Sequence, residues 1–296
     1  MDIIGKKYVF LTLSATLLVV SFVAIGLWGL RLGLDFTGGS LLEVEYQNDR
    51  PAVEEIKKSL ESLSLGTLAV QPTGEKGMIL RFKDINESLH QEILTKLGPG
   101  AKEFRFDSIG PTIGRELKQK SIMALGFAVL AIILYIAWAF RKVSKPVSSW
   151  KYGITAVIAL VHDVSIPTGV FALLGHVRGV EIDPLFITAL LTILGFSVHD
   201  TIVVFDRTRE NLHKLKAMEP FEVTVNRSVN ETLSRSINTS FTVLLVLLAI
   251  FFLGGETTRY FSLALMLGII FGTYSSIFVA SPLLVIWQKF SLKKRN

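Results

Sequence analysis

Residues 184–205, PLFITALLTILGFSVHDTIVVF, form an apolar run with one acid near its end, Asp200. Residues 154–174, ITAVIALVHDVSIPTGVFALL, repeat the pattern around Asp163. About 20 mostly apolar residues suffice to cross the hydrocarbon core of a bilayer as a helix. Helix is also the structure in which a single segment satisfies its own backbone there. An ionised carboxylate near the bilayer centre costs roughly 2.5–3.5 kcal/mol on insertion scales. A chain that keeps two such acids uses them, in a proton relay, an ion site or a buried structural pair.

Outward from these runs the same texture recurs. Six spans are read, at about 8–30, 119–140, 152–174, 184–205, 237–254 and 260–287. Half of the 296 residues are hydrophobic, and the mean hydropathy is +0.49. The expected fold class is a polytopic α-helical membrane protein with six transmembrane helices. Tyr8–Leu30 is too long for the apolar core of a signal peptide and is read as a retained anchor. Cysteine is absent, which excludes disulfides, thiolate catalysis and cysteine-ligated metal. No cofactor and no metal are expected.

The net charge of +6 is unevenly spread. Lys6 and Lys7 precede the first span, and Arg141, Lys142, Lys145 and Lys151 lie between the second and third. Arg207, Arg209, Lys214, Lys216, Arg227 and Arg235 lie between the fourth and fifth, and Lys289, Lys293, Lys294 and Arg295 follow the sixth. The opposite side holds Arg178 and Arg259. The positive-inside rule puts both termini in the cytoplasm. The basic residues track topology, so a nucleic-acid partner is not expected; the lipid bilayer is.

Residues 31–115 read as an inserted extracytoplasmic domain. LLEVEY (41–46), TLAVQP (67–72), MILRF (78–82) and EFRFDSI (103–109) have strand patterns. PAVEEIKKSLESL, opened by Pro51 in a first turn, and NESLHQEILTKL (86–97), capped by Asn86 or Ser88, have helical ones. The order βαββαβ is the split-βαβ, ferredoxin-like α+β arrangement. His90 falls on a mostly polar face and is read as solvated. With no nucleophile–base pair and no G-x-x-x-x-G-K-[ST] loop, the chain is not read as an enzyme. The domains expected are a first helix over 1–30, the inserted domain over 31–115, and a five-helix bundle over 116–296. Within the bundle, 206–236 is expected as two short amphipathic helices broken at Glu219-Pro220, lying on the cytoplasmic membrane face with basic residues toward headgroups.

Within the third span, Pro167 frees the carbonyl of residue 163 from its helical bond. His162 adjoins Asp163 but points about 100° away around the helix. A proton waypoint and a hydrogen-bonded packing residue both remain open for Asp163. In the fourth span Thr188, Thr192 and Asp200 are read as one polar stripe, with Gly195 and His199 beside it. Desolvation favours a neutral carboxyl and a nearby cation a charged one, so a site meeting both in turn is a proton switch. Arg235, just before the fifth span, is a candidate cation that stays charged. His199 can share a proton near neutral pH or fill a hydrogen bond.

Three stretches resemble one family. Gly33-Leu34-Asp35-Phe36-Thr37-Gly38-Gly39 is similar to its signature loop, notably Gly33, Asp35, Phe36, Gly38 and Gly39. Gly195-Phe196-Ser197-Val198-His199-Asp200-Thr201 through Arg207 is similar to its fourth-span motif, continued by Arg209-Glu210-Asn211. Asn230-Glu231-Thr232-Leu233-Ser234-Arg235-Ser236 is similar to its entry into the fifth span. The family is SecF, smaller partner of SecD in bacterial Sec export, within the resistance-nodulation-division-like superfamily. The resemblance implies a multi-pass protein of the bacterial cytoplasmic membrane. It implies a SecDF complex that uses the proton motive force to draw exported preprotein chains across, with the SecYEG channel and YajC as further partners. It carries the working carboxylate onto Asp200 and the functional arginine onto Arg235. Asp163 matches the third-span His-Asp pair. The chain departs from the family pattern at His199, commonly Asn, and Phe196, commonly Tyr. A passive scaffold for the translocon is the alternative, and half of a proton-coupled small-molecule exporter a more distant one.

Overall fold

The sequence of Lys7–Trp28 (α1) is apolar over most of its surface, and small residues mark its buried side. Its small residues Ser14, Ser21 and Ala24 are buried, while Val9, Leu13, Val20, Val23 and Leu27 point outward. That is the pattern of a helix whose exterior meets lipid and whose interior permits close approach. The computed structural model describes residues 1–141, 148–214 and 219–293. Lys142, Lys145, Lys216, Lys294 and Arg295, which enter the topology reading, lie outside the described residues.

The chain forms two compact units, one of Leu32–Ile122 and one of the remainder. The smaller unit begins with a single helical turn, Leu34–Thr37 (α2), and continues through Gly39–Tyr46 (β1), Val53–Leu60 (α3), Ala69–Thr73 (β2), Gly77–Phe82 (β3), Glu87–Leu97 (α4) and Ala101–Ile109 (β4). The sheet order is β2-β3-β1-β4, with every pair antiparallel. Alternation in β1 and β3 sends Leu42, Val44, Met78 and Leu80 inward, where they meet Ile56 and Leu60 of α3 and Ile93 and Leu97 of α4. The helix–strand order is the one read from the sequence.

Two details differ, and one open choice is decided. Pro51 stays outside α3, because Ala52 remains extended (φ −63°, ψ 148°) and acts as the N-cap. Asn86 rather than Ser88 caps α4, its side chain accepting from the Leu89 N–H at 3.1 Å. His90 is buried, not solvated: its ring stacks on Phe106 of β4 at 3.7 Å, with Glu87 and Glu103 each 3.2 Å from a ring nitrogen. The polar helix face is roofed by a strand that the helical pattern alone does not reveal.

Pro111–Ala139 (α5) begins in the smaller unit and belongs to the larger from Met123 on, which continues with Ser149–Arg178 (α6), Pro184–Lys214 (α7) and Phe221–Leu253 (α8). The last span is Glu256–Ser275 (α9), a π-helical turn Ser276–Ala280, and Ser281–Lys293 (α10). Among the described residues, six helices are long and apolar enough to cross a membrane. Glycines set the close approaches: a Cβ on Gly169 of α6 would sit 2.6 Å from the Ser21 Cα of α1.

The amphipathic segment expected at 206–236 is corrected by the structure. The described part consists of direct extensions of α7 and α8, interrupted around Glu219-Pro220. Phe205, Thr208 and Asn211 of α7, and Phe221, Val225 and Ser228 of α8, are buried, and Asn211 Nδ2 donates to Ser228 Oγ at 3.0 Å. Arg207 pairs with Glu231 and Glu210, Arg209 with Asp206, and Arg227 with Glu219. The basic residues are largely spent on partners within the hairpin. The chain before α1 is pinned to α8: Asn226 Oδ1 accepts from the N–H groups of Ile3 and Ile4 at 2.9 and 3.1 Å, and buried Lys7 pairs with Glu222.

Candidate functional site

α7 carries the fourth-span motif, and its residues divide between two faces. Thr188, Thr192, Gly195 and His199 are exposed, whereas Ser197, Asp200 and Thr201 are buried. At about 100° per residue, Asp200 lies about 120° around from Thr188. The single stripe expected from the sequence is therefore two: an outer line ending at His199, and an inner line ending at Asp200. Thr192 belongs to the outer one, its hydroxyl donating to the Thr188 carbonyl at 2.8 Å.

Asp163 of α6 is fully enclosed, at 0% exposure. Its Oδ1 pairs with His162 Nδ1 at 2.8 Å. Its Oδ2 accepts from Ser275 Oγ of α9 at 2.7 Å and from Ser197 Oγ of α7. The imidazole, expected to point away, turns back along the helix and is held by Tyr274, whose ring stacks on it at 6.0 Å. His162 Nε2 is buried without a hydrogen-bond partner among the described residues. The site closes because α9 lies tight on α7. A Cβ on Gly272 would stand 3.2 Å from the Ser197 Cβ, and one on Gly268 would run into Ile193.

Asp200 sits between α7, α8 and α9 at 7% exposure. Oδ1 accepts from Ser236 Oγ of α8 at 2.7 Å. Oδ2 is buried with no hydrogen-bond partner among the described residues. Thr273 of α9 interacts with the carboxyl, but its hydroxyl is bonded to Ser240 of α8. His199 and Arg235 are close enough to act on the carboxyl electrostatically, and both are exposed. Arg235 leads an outward polar line on α8 that continues through Asn238, Thr239 and Thr242. An ionised carboxyl accepts at both oxygens, so one of Asp200's two oxygens is available for a proton.

Sequence reasoning missed Ser197, Ser236, Thr273 and Ser275, which complete the two acid sites. Each is a small hydroxyl side chain, and nothing in its local sequence marks which acid it meets. The signature loop is not brought into either acid site; it is a backbone device of the smaller unit. Phe36 is buried, and Gly38 and Gly39 hold φ of 71° and 120°. A Cβ there would lie 2.8 Å from Pro111 Cα and 2.7 Å from the Phe82 carbonyl oxygen, respectively. Glycine is the residue that fits both the conformation and the space. Gly33 precedes α2 and its carbonyl accepts from Thr37 Oγ1 at 3.0 Å; Asp35 lies in the helix's first turn.

Residues 89–290 match the family described as protein export membrane protein SecD/SecF, C-terminal, and residues 28–49 match the SecD/SecF GG motif. The chain is 45% identical to the protein translocase subunit SecF of Thermobaculum terrenum, over 97% of its own length and 94% of that relative's. It is 40% identical to the SecF of Anaerolinea thermophila over the same shares. The crystal structure of SecDF, a translocon-associated membrane protein from Thermus thermophilus, superposes with a TM-score of 0.82 at 32% identity, over 98% of this chain. The chain spans 39% of that SecDF polypeptide.

Proposed function

The chain belongs to the SecD/SecF family of protein-export membrane proteins, as a SecF-type translocase subunit, and from that premise we propose that it turns proton passage at Asp200 into motion that assists polypeptide export. The observation that carries this reading is the half-satisfied carboxyl. Asp200 is buried, is anchored through one oxygen, and has no hydrogen-bond partner at the other among the described residues. A proton added there displaces no existing bond. Each charge that crosses the membrane field is worth about 2.3 kcal/mol per 100 mV, enough to bias a bundle with two packings.

SecD is the partner. The outward lines Thr188–Thr192–His199 and Arg235–Asn238–Thr242 are polar surface on two neighbouring spans, which lipid covers at a cost. Helices of a second bundle would cover them and complete the surroundings of Asp200. Protons enter from the outer side, and the arginine at 235 offers the cation that an emptied Asp200 meets. The SecYEG channel, YajC and the emerging preprotein are the further partners of this reading. Its setting is the bacterial cytoplasmic membrane with both termini inside, in keeping with the basic residues flanking the spans.

Asp200→Asn tests the reading in vesicles that report proton flux and export together. Loss of both, with the complex present at normal level, is the expected result. Full export at full potential would refute it. A lower yield of complex with normal export per complex would instead indicate a passive scaffold.

A further inference from the structure

The last span contains four consecutive hydroxyl side chains, Thr273-Tyr274-Ser275-Ser276, where α9 passes into its π-helical turn. Successive helical residues point about 100° apart, so four of them sweep the whole circumference. Each of these four has a different engagement. Thr273 bonds Ser240 of α8 and faces Asp200. Tyr274 donates to the Phe10 carbonyl of α1 at 3.1 Å, accepts from Ser14 at 3.3 Å, and stacks on His162. Ser275 donates to Asp163 at 2.7 Å. Ser276 bonds Thr201, the residue after Asp200, at 2.9 Å.

An alternative arrangement is built in. The Gly272 carbonyl lies 3.1 Å from Ser275 Oγ and 3.0 Å from Ser276 Oγ. If Asp163 takes up a proton it becomes a donor as well as an acceptor, and one of its hydroxyl partners must turn away. Ser275 has an acceptor waiting within its own turn. The π turn that follows, closed by Ser281 Oγ on the Ser276 carbonyl at 3.0 Å, is a helical irregularity of the kind that can shift register locally.

We propose that the turn Thr273–Ser276 is a positioning element that couples the two intramembrane carboxyls, so that the bonding state of Asp163 sets how readily Asp200 exchanges its proton. This rests on the reading of Asp200 given above. The charged or titratable groups facing Asp163 are His162 on its own helix, with Tyr274 beyond the imidazole. Those facing Asp200 are His199 on its own helix and Arg235 on α8. None of these bridges the two acids; the turn does.

The test measures carbodiimide labelling of Asp200 against pH, by mass spectrometry of the full chain in its native membrane. Asp163→Asn is expected to move the labelling midpoint by about 0.7–2 pH units, the 5–150-fold range of coupling between sites. Ser275→Ala, which touches Asp200 nowhere and keeps Asp163, is expected to move it by at least about 0.7 unit, the lower end of that range, and Ser275→Thr to restore it. A serine that merely fills space would leave the midpoint in place. An Asp200 that titrates at an unchanged midpoint in both Asp163→Asn and Ser275→Ala overturns the coupling and leaves the proposed function standing. An Asp200 that never labels at any pH overturns the proposed function and the coupling with it.

Discussion

Asp163 and Asp200 are the same residue type on neighbouring helices of one bundle, yet one is sealed and the other half open. Asp163 takes two hydroxyls on one oxygen and an imidazole on the other. Asp200 accepts from Ser236 at one oxygen, has Thr273 beside the carboxyl and no hydrogen-bond partner at the other oxygen among the described residues, and lies beside His199 and Arg235. A proton arriving at Asp163 must break something already made; one arriving at Asp200 need not. Burial alone therefore does not distinguish a working carboxyl from a fastening one. The hydrogen-bond inventory around each does.

The largest expected effect breaks the comparison at its open end. Asp200→Asn should remove the proton-driven part of export entirely, measured as export per complex with and without an imposed gradient, while the helical content stays normal. Next is the sealed end. Asp163→Ala strands Ser197 and His162 without their partner, Ser275 keeping the Gly272 carbonyl, and should cost about 3 kcal/mol, since a buried group left unpaired costs about 1–3 kcal/mol. Reversible unfolding in lipid-detergent mixtures checks it. Gly272→Val sharpens the contrast: it pushes α9 off α7 at Ser197 and should cost about 1–3 kcal/mol by overpacking, loosening the Asp163 site first. Amide exchange of the α9 segment reads that.

The smallest effects serve as controls in the inserted domain. Asn86→Ala should lower that domain's stability by about 1 kcal/mol through the lost cap, with neither acid's behaviour altered. Hydrogen exchange at Leu42 and Leu80 measures it. Glu87 is a milder case. Bonds from Gln91 and His90 hold its carboxyl below the usual range. Such a group stabilises above its unfolded value and loses the contribution as pH falls through the folded one. Because Glu87 is fully exposed, protection of α4 should decline only slightly as pH is lowered from about 5 to 3.

The spans were legible from the sequence because each is a long apolar run, and both acids stood out because carboxylates in such runs are costly. The domain's element order was legible from period-2 and period-3.6 patterns that local residues set by themselves. What the sequence concealed was long-range. Ser275 is 112 positions from Asp163 and Ser236 is 36 from Asp200, and a hydroxyl's local neighbours do not tell which distant side chain it meets. Thr192 and Asp200 were assigned one stripe because eight residues is near, but not at, a whole number of turns; the difference is about 80°. His90 differs for a related reason: β4, the next element in the chain, folds back and lays Phe106 over what the helix pattern shows as open. The segment 206–236 was read as lying on the membrane because its charges suit headgroups, whereas most of the described ones are neutralised within the α7–α8 hairpin.

The most direct test of the account is infrared difference spectroscopy of the Asp200 carboxyl in the assembled complex while a proton gradient is switched on and off during export. The account requires a protonated-carboxyl band that comes and goes with the gradient and is missing in Asp200→Asn. A band that stays constant, or never forms, while export proceeds at its full rate would contradict it.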